Sequence, residues 1–215
     1  MNQTVFEIDR QFVFQHKQDS AVRRWLRHRK GVQDKTWKLD LTSGNGTDLT
    51  ISKGFVAILG ASGAGKSSLL SVLSGFERLS PDQRRCIRYY DKNGQRTYAD
   101  KGFGAFRKQT FGYIFQRCYE SKPLSAIENI AMPLFIKKFP ANTIHAYAKG
   151  LLSFLNLNRL ANASANELSG GQLTRIGILR GIAQTPRVLF ADEPANNLDS
   201  QNADKILMIL DRWRK

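Results

Sequence analysis

Gly60-Ala-Ser-Gly-Ala-Gly-Lys-Ser67 is the stretch on which the reading of this chain turns. It fits Gly-x-x-x-x-Gly-Lys-Ser, a phosphate-binding loop, and its flanks suit that chemistry. Phe55-Val-Ala-Ile-Leu59 before it is an unbroken apolar run, which predicts a short buried parallel strand. Ser67-Ser-Leu-Leu-Ser-Val-Leu-Ser74 after it predicts a helix closed by Gly75. Gly60, Gly63 and Gly65 let the backbone curl so that successive N–H groups converge on phosphate oxygens. The positive end of the following helix adds to the same spot. Ala61, Ser62, Ala64 and Ser68 complete the expected phosphate-chain contact. Lys66 is expected to reach the β- and γ-phosphates, and Ser67 to hold Mg²⁺. A glycine-rich turn that binds nothing is the bland alternative; eight fitting positions and both flanks weigh against it.

At 215 residues the chain is long enough for one domain with a real core, and a hydrophobic share of 41% suits a folded protein. Cys86 and Cys118 lie far apart with no metal spacing, so they read as reduced thiols of a cytosolic protein. No apolar run reaches the length of about 18 residues that a spanning helix needs. Met1–Asp9 lacks the apolar stretch of a secretory signal. The net charge of +15 implies an anionic neighbour: nucleic acid, a lipid headgroup surface or an acidic partner.

Working outward, Thr4–Asp9 and Gln11–Gln15 read as short strands. The basic segment between His16 and Lys38, densest over Arg23–Lys30, reads as a solvated insertion; the sharper alternative is a phospholipid or nucleic-acid patch with Trp25 as its aromatic contact. Lys38–Thr42 and Asp48–Ser52 alternate apolar and polar residues around Ser43-Gly-Asn-Gly46, which predicts a hairpin. Further strands are expected at Cys86–Tyr90, before a turn at Asp91–Gly94, and at Phe111–Gln116. Helical patterning dominates from Ser125 to Leu157, broken at Pro133 and Pro140, with Asn142 or Thr143 as a cap. Ser169 is placed to cap a helix whose apolar face is Ile176, Leu179, Ile182 and Ala183. Arg187–Glu193 reads as a buried strand ending in two acids, and a last helix runs from Gln201 to Trp213.

These elements carry chemistry. Asp192 at a strand end is suited to hold Mg²⁺ through water, and Glu193, pointing differently, to polarise an attacking water as general base. Gln116 has a donor and an acceptor side, so it can touch both Mg²⁺ and water. Ser169, Gly170 and Gly171 present a hydroxyl and bare backbone at a helix start, which makes a second anion site with Gln172 beside it.

The phosphate loop, Gln116, Leu168-Ser-Gly-Gly-Gln172, Asp192-Glu193-Pro194 and Asn197-Leu-Asp199 occur in that order. Together they resemble the nucleotide-binding domain of ABC ATPases, from about Lys38 to the end of the chain. Gly60-Ala-Ser-Gly63, Phe111-Gly-Tyr-Ile-Phe-Gln-Arg117 and Ala191–Ser200 are similar to the lipoprotein-releasing, macrolide-efflux and cell-division group of that family. The resemblance implies an α/β phosphate-loop NTPase: a mostly parallel core sheet, an N-terminal antiparallel β patch, and a helical subdomain at about 117–175 of one domain spanning 1–215. It implies an ATP-hydrolysing subunit that powers a transporter or mechanotransmission complex through dimer closure. Ser169, Gly170, Gly171 and Gln172 would then face the ATP of the opposite subunit in a head-to-tail homodimer, with Asp199 crossing the interface. The implied partner is an integral membrane permease or mechanotransmission subunit, and the implied location is the inner face of the cell membrane, held there by that partner. Nucleic acid is not the expected partner; the alternative is a soluble ABC ATPase acting on nucleic acid or ribosomes.

Four features depart from the family or stay open. Ala195-Asn196 stands where similar proteins often carry Thr-Gly, and the sequence around Arg175 is looser than usual. Phe14 and Trp37 are both candidates to stack on adenine. The family's switch histidine follows one more strand, whereas His16, His28 and His145 all lie upstream, so the sequence reads as truncated at its C-terminal end. The segment from Arg117–Leu124 through Met132-Pro-Leu134 resembles the groove that receives a partner's coupling helix, and Phe135, Ile136 and Phe139 nearby read as core by default or else as docking surface.

Overall fold

The computed structural model describes residues 4–9, 13–16, 37–40, 49–77, 79–98, 103–116, 123–195 and 198–214. The basic stretch 23–30, the turn 43–46, Cys118, the segment 117–122 and Asn196–Asn197 lie outside them. The chain divides into two compact units, Met1–Phe103 and Gly104–Lys215.

The first unit is built on an antiparallel sheet. Its strands β1 (Thr4–Ile8), β4 (Leu49–Ser52), β5 (Ile87–Tyr90) and β6 (Arg96–Tyr98) lie in the order β4-β1-β5-β6, and β2 (Val13–His16) pairs separately with β3 (Trp37–Asp40). Alternation decides which face is buried. Phe6, Ile8, Ile87 and Tyr89 are buried, with Phe6 opposite Tyr89 and Ile8 opposite Ile87. The other face carries Glu7, which accepts from the Tyr90 hydroxyl at 2.7 Å and pairs with Arg88 at 3.3 Å. Helix α1 (Lys66–Leu73) buries Leu69, Val72 and Leu73. The buried Tyr89 hydroxyl donates to the Leu73 carbonyl at 2.9 Å, so the sheet holds the end of that helix. Its last turn closes as a Schellman motif. Gly75 has φ 72°, its N–H reaches Val72 O, and Phe76 N–H reaches Ser71 O. A Cβ on Gly75 would lie 2.3 Å from the Phe103 ring, so glycine is required there twice over. Helix α2 (Pro81–Arg85) precedes β5, and the expected turn follows it: Asp91 Oδ1 accepts from Asn93 and Gln95 N–H, with Gly94 at φ 77°.

Two expectations fail in this unit. Phe55–Leu59 forms no strand, and Phe55, Val56 and Leu59 are 72%, 53% and 89% exposed. Apolar character supplies a side-chain reason to be buried, but a strand also needs neighbours for its N–H and C=O groups; Phe55–Leu59 pairs with none of the described strands. The 38–42/48–52 hairpin is also absent. Both strands exist, but β3 pairs with β2 and β4 with β1. Turn residues permit a hairpin without enforcing it, and partner strands distant in sequence won.

The second unit contains α3 (Phe103–Thr110, beginning at the boundary), β7 (Phe111–Ile114), α4 (Ala126–Ile136), α5 (Ala141–Phe154), α6 (Gly170–Ala183), β8 (Val188–Ala191) and α7 (Ser200–Arg214). Its core gathers Ile114, Ile130, Leu152, Ile176, Leu179 and Ile206, each at most 1% exposed. The predicted apolar face of α6 is therefore the buried one. Gly112 on β7 and Gly181 on α6 let strand and helix touch: a Cβ on Gly112 would lie 2.4 Å from Gly181 O. Parallel pairing among the described strands is confined to β7 and β8.

Pro133 does not break the helix it sits in, because α4 ends at Ile136, less than a turn beyond the ladder bond that the proline forfeits. Pro140, not Asn142 or Thr143, is the N-cap of α5; the Asn142 side chain instead accepts from Thr143 N–H at 2.8 Å. Phe135, Ile136 and Phe139 are 55%, 61% and 46% exposed rather than in the core, since α4 turns its other face, with Ile127, Ile130 and Leu134, inward.

Candidate functional site

In the first unit the loop 60–65 leads into α1 through Gly65, the N-cap, which has φ 88° and ψ 14°. Gly63 has φ 79°. Both conformations are routine for glycine and strained for other residues. Gly60 has no positive φ, and a Cβ there would make only an ordinary contact with Ala64 Cβ at 3.4 Å. Ala64 N–H donates to Ala61 O at 3.2 Å, which curls the loop. The Lys66 ammonium folds back over this curl, donating to Gly60 O at 2.9 Å and Ala61 O at 2.8 Å. A cation is thus held over the loop at the positive end of α1. Ser67 is exposed in the first turn and Ser68 half-buried beside it. A Cβ at Gly63 would meet nothing within 4 Å, so the space over this glycine is open. An anionic phosphate chain suits that combination of cation, helix terminus and bare backbone.

In the second unit, strand register assembles the acids. Parallel pairing sets Phe111 opposite Val188 and Ile114 opposite Ala191, and Asp192 N–H continues the ladder to Ile114 O at 3.0 Å. Two residues past each strand end, Gln116 and Glu193 therefore come level. Gln116 Nε2 donates to Glu193 Oε2 at 2.7 Å. Asp192 is buried, with 9% of its surface exposed, whereas Glu193 is exposed. Glu193 has φ 48°, an uncommon conformation for a residue with a Cβ, and one that costs about 1–2 kcal/mol. That kink separates the two neighbouring carboxylates into a buried and an exposed one.

The start of α6 is a capping box: Ser169 Oγ accepts from Gln172 N–H at 3.3 Å, and Gln172 Oε1 accepts from Ser169 N–H at 2.8 Å. A Cβ on Gly170 would meet nothing within 4 Å, and one on Gly171 would make only an ordinary contact with Leu198 at 3.7 Å. Packing among the described residues therefore does not demand either glycine. Asp199 lies ahead of α7 and accepts from Asn202 N–H at 2.9 Å and Asn202 Nδ2 at 2.5 Å. Those bonds, with the nearby Arg175 guanidinium, hold its carboxyl below the usual range. Asn202 was not marked by the sequence reading; Asp-x-x-Asn at a helix start was the available signal.

The oxygen donors Ser67, Gln116 and Asp192 are hard ligands of the kind Mg²⁺ takes. Among the described residues no group of three or more His, Cys, Asp and Glu forms a metal cage. The side chains of Phe14 and Trp37 lie outside what is described. Also among the described residues, no helix is long and apolar enough to cross a membrane.

A family model described as "ABC transporter" matches residues 45–196. The macrolide export ATP-binding/permease protein MacB 1/2 of Paracoccus denitrificans is 39% identical over 77% of this chain, which spans 24% of that protein's length. The lipoprotein-releasing system ATP-binding protein LolD of Syntrophotalea carbinolica is 37% identical over 73% of this chain and 67% of its own. A solved dimeric structure of the ATP-binding cassette MJ0796, in a post-hydrolysis state bound to ADP and Pi, superposes with a TM-score of 0.75 at 25% identity, over 98% of this chain and 83% of that one.

Proposed function

This chain belongs to the ABC transporter family, and from that premise we propose that it is the ATP-binding and ATP-hydrolysing subunit whose dimer closure drives a membrane transporter or mechanotransmission complex. The observation that carries the reading is the Gln116–Glu193 hydrogen bond at the end of the parallel pair, at 2.7 Å. It brings together two residues 77 positions apart whose chemistry is complementary.

In this reading Gly60 to Ser68 cradle the triphosphate, and Lys66 exchanges its bonds to Gly60 and Ala61 for phosphate oxygens. Ser67 of the first unit and Gln116 and Asp192 of the second are the residues that would hold Mg²⁺, which would supply neutralisation of the phosphate charge. Glu193 accepts a proton from the attacking water, and Gln116, now bonded to Glu193, orients it. Ser169, Gly170, Gly171 and Gln172 serve the ATP of a second copy, which gives a use for two glycines that packing among the described residues does not require. Asp199 meets that second copy. The whole of 1–215 acts as one nucleotide-binding domain with a helical part at 117–175. Exposed Phe135, Ile136 and Phe139 suit a membrane partner's docking segment, which would hold the subunit at the inner membrane face.

The test is the pair of variants Lys66→Ala and Glu193→Gln. The first should lose most of its ATP affinity, and the second should bind ATP but turn it over far more slowly. Unchanged ATP binding in Lys66→Ala would overturn the phosphate-loop assignment.

A further inference from the structure

We propose that Asn202 is a positioning residue, linking Asp199 to the first turn of α6 through Arg175. The inference rests on the reading above, in which Ser169–Gln172 and Asp199 both face a second copy.

Four hydrogen bonds make the link. Arg175 Nε donates to Gly171 O at 3.2 Å, and Arg175 Nη1 donates to Asn202 Oδ1 at 3.3 Å. Asn202 donates twice to the Asp199 carboxylate, from its backbone N–H at 2.9 Å and its side-chain amide at 2.5 Å. The carboxamide has the acceptor for Arg175 and the donor for Asp199 in one group, pointing in two directions. Alanine breaks both contacts, and aspartate would keep the first while setting a second negative charge against Asp199. Arg175 and Asn202 are half-buried while Asp199 is exposed, so the chain of bonds runs outward from the packed ends of α6 and α7. Thr174 adds a parallel tie, its hydroxyl donating to Gly170 O at 3.0 Å. The carbonyls of both glycines in the second anion site are thereby braced, and one brace leads to Asp199. The physical consequence is that the two surfaces presented to a second copy are set in one geometry before that copy arrives, which lowers the ordering cost of closure.

The experiment is a double-mutant cycle in the Glu193→Gln background. Asn202→Ala, Arg175→Met and the double variant are compared by sedimentation velocity across an Mg-ATP titration, alongside ATP binding to the monomer. Asn202→Leu, of similar size and without a donor or acceptor, replaces Asn202→Ala if the latter fails to fold. The proposal expects each single variant to raise the ATP concentration for half-dimerisation about tenfold, with monomer ATP affinity within about twofold of the parent. The double variant should be no worse than the poorer single one, because both break the same link. Effects that multiply, or dimerisation at the parent's ATP concentration in Asn202→Ala, would overturn the inference alone. A parent Glu193→Gln chain that stays monomeric at saturating ATP would overturn the functional reading beneath it.

Discussion

Lys66 illustrates how one side chain serves both its loop and a ligand. Its ammonium donates to two carbonyls of its own loop, which pins the curl. Removing it takes away both that pin and the charged donor. Lys66→Ala should weaken ATP binding roughly ten- to a hundredfold, the worth of one to two charged hydrogen bonds, as read by equilibrium ATP binding. Glu193 is the sharper case. Its positive φ and its bond from Gln116 belong to a residue held in place at some cost. Glu193→Gln removes the base while keeping the size, so turnover should fall about 10²–10⁴-fold with ATP affinity little changed. Unaltered turnover would take the base role away from it. Residue identities at this scale were legible from sequence, because glycine, lysine and paired acids announce their chemistry. The Arg175–Asn202–Asp199 link was not legible, because it depends on which helix starts come to lie together.

At the scale of elements, the sequence foretold where chain would be helical or extended better than what would pair. β5, β7, α6 and α7 appear close to their expected bounds, since each carries its own periodicity and caps. The β3–β2 and β4–β1 pairings could not be read off, because alternation marks a strand's two faces and says nothing of its neighbour. Nor could the fate of Phe55–Leu59, whose apolar run lacks a ladder in its own unit. The join of β7 to α6 is a packing device of this scale. Gly112→Ala would push a methyl into Gly181 O and Pro186, costing about 1–3 kcal/mol by urea unfolding; a variant as stable as the parent would show that strand and helix can part there freely. Capping boxes supply a pH handle. Backbone and then hydroxyl bonds from Ser125 and Ser164 hold the Glu128 and Glu167 carboxyls below their ordinary range. A depressed folded value contributes stability that is complete above the ordinary carboxylate range, about pH 4–5, and is lost as pH falls through the lowered value. Carrying Glu128→Gln and Glu167→Gln together should flatten the fall in urea midpoint between about pH 5 and pH 2. An equally steep fall would mean that other carboxylates govern acid unfolding.

Taken as a whole molecule, the chain offers two helix starts, at α1 and α6, that the proposed function uses for anions, in separate compact units. The first is built with conformations only glycine takes easily. The second has glycines that packing among the described residues does not require, which in the proposed function serve a second copy. The most direct measurement is sedimentation velocity of Glu193→Gln with and without Mg-ATP, repeated with Gly170→Asp added. The account predicts a nucleotide-dependent dimer for the first protein. It predicts a monomer that still binds ATP for the second, since a carboxylate would face the partner's phosphates. A Glu193→Gln chain that binds Mg-ATP at saturation yet sediments as a monomer would contradict it.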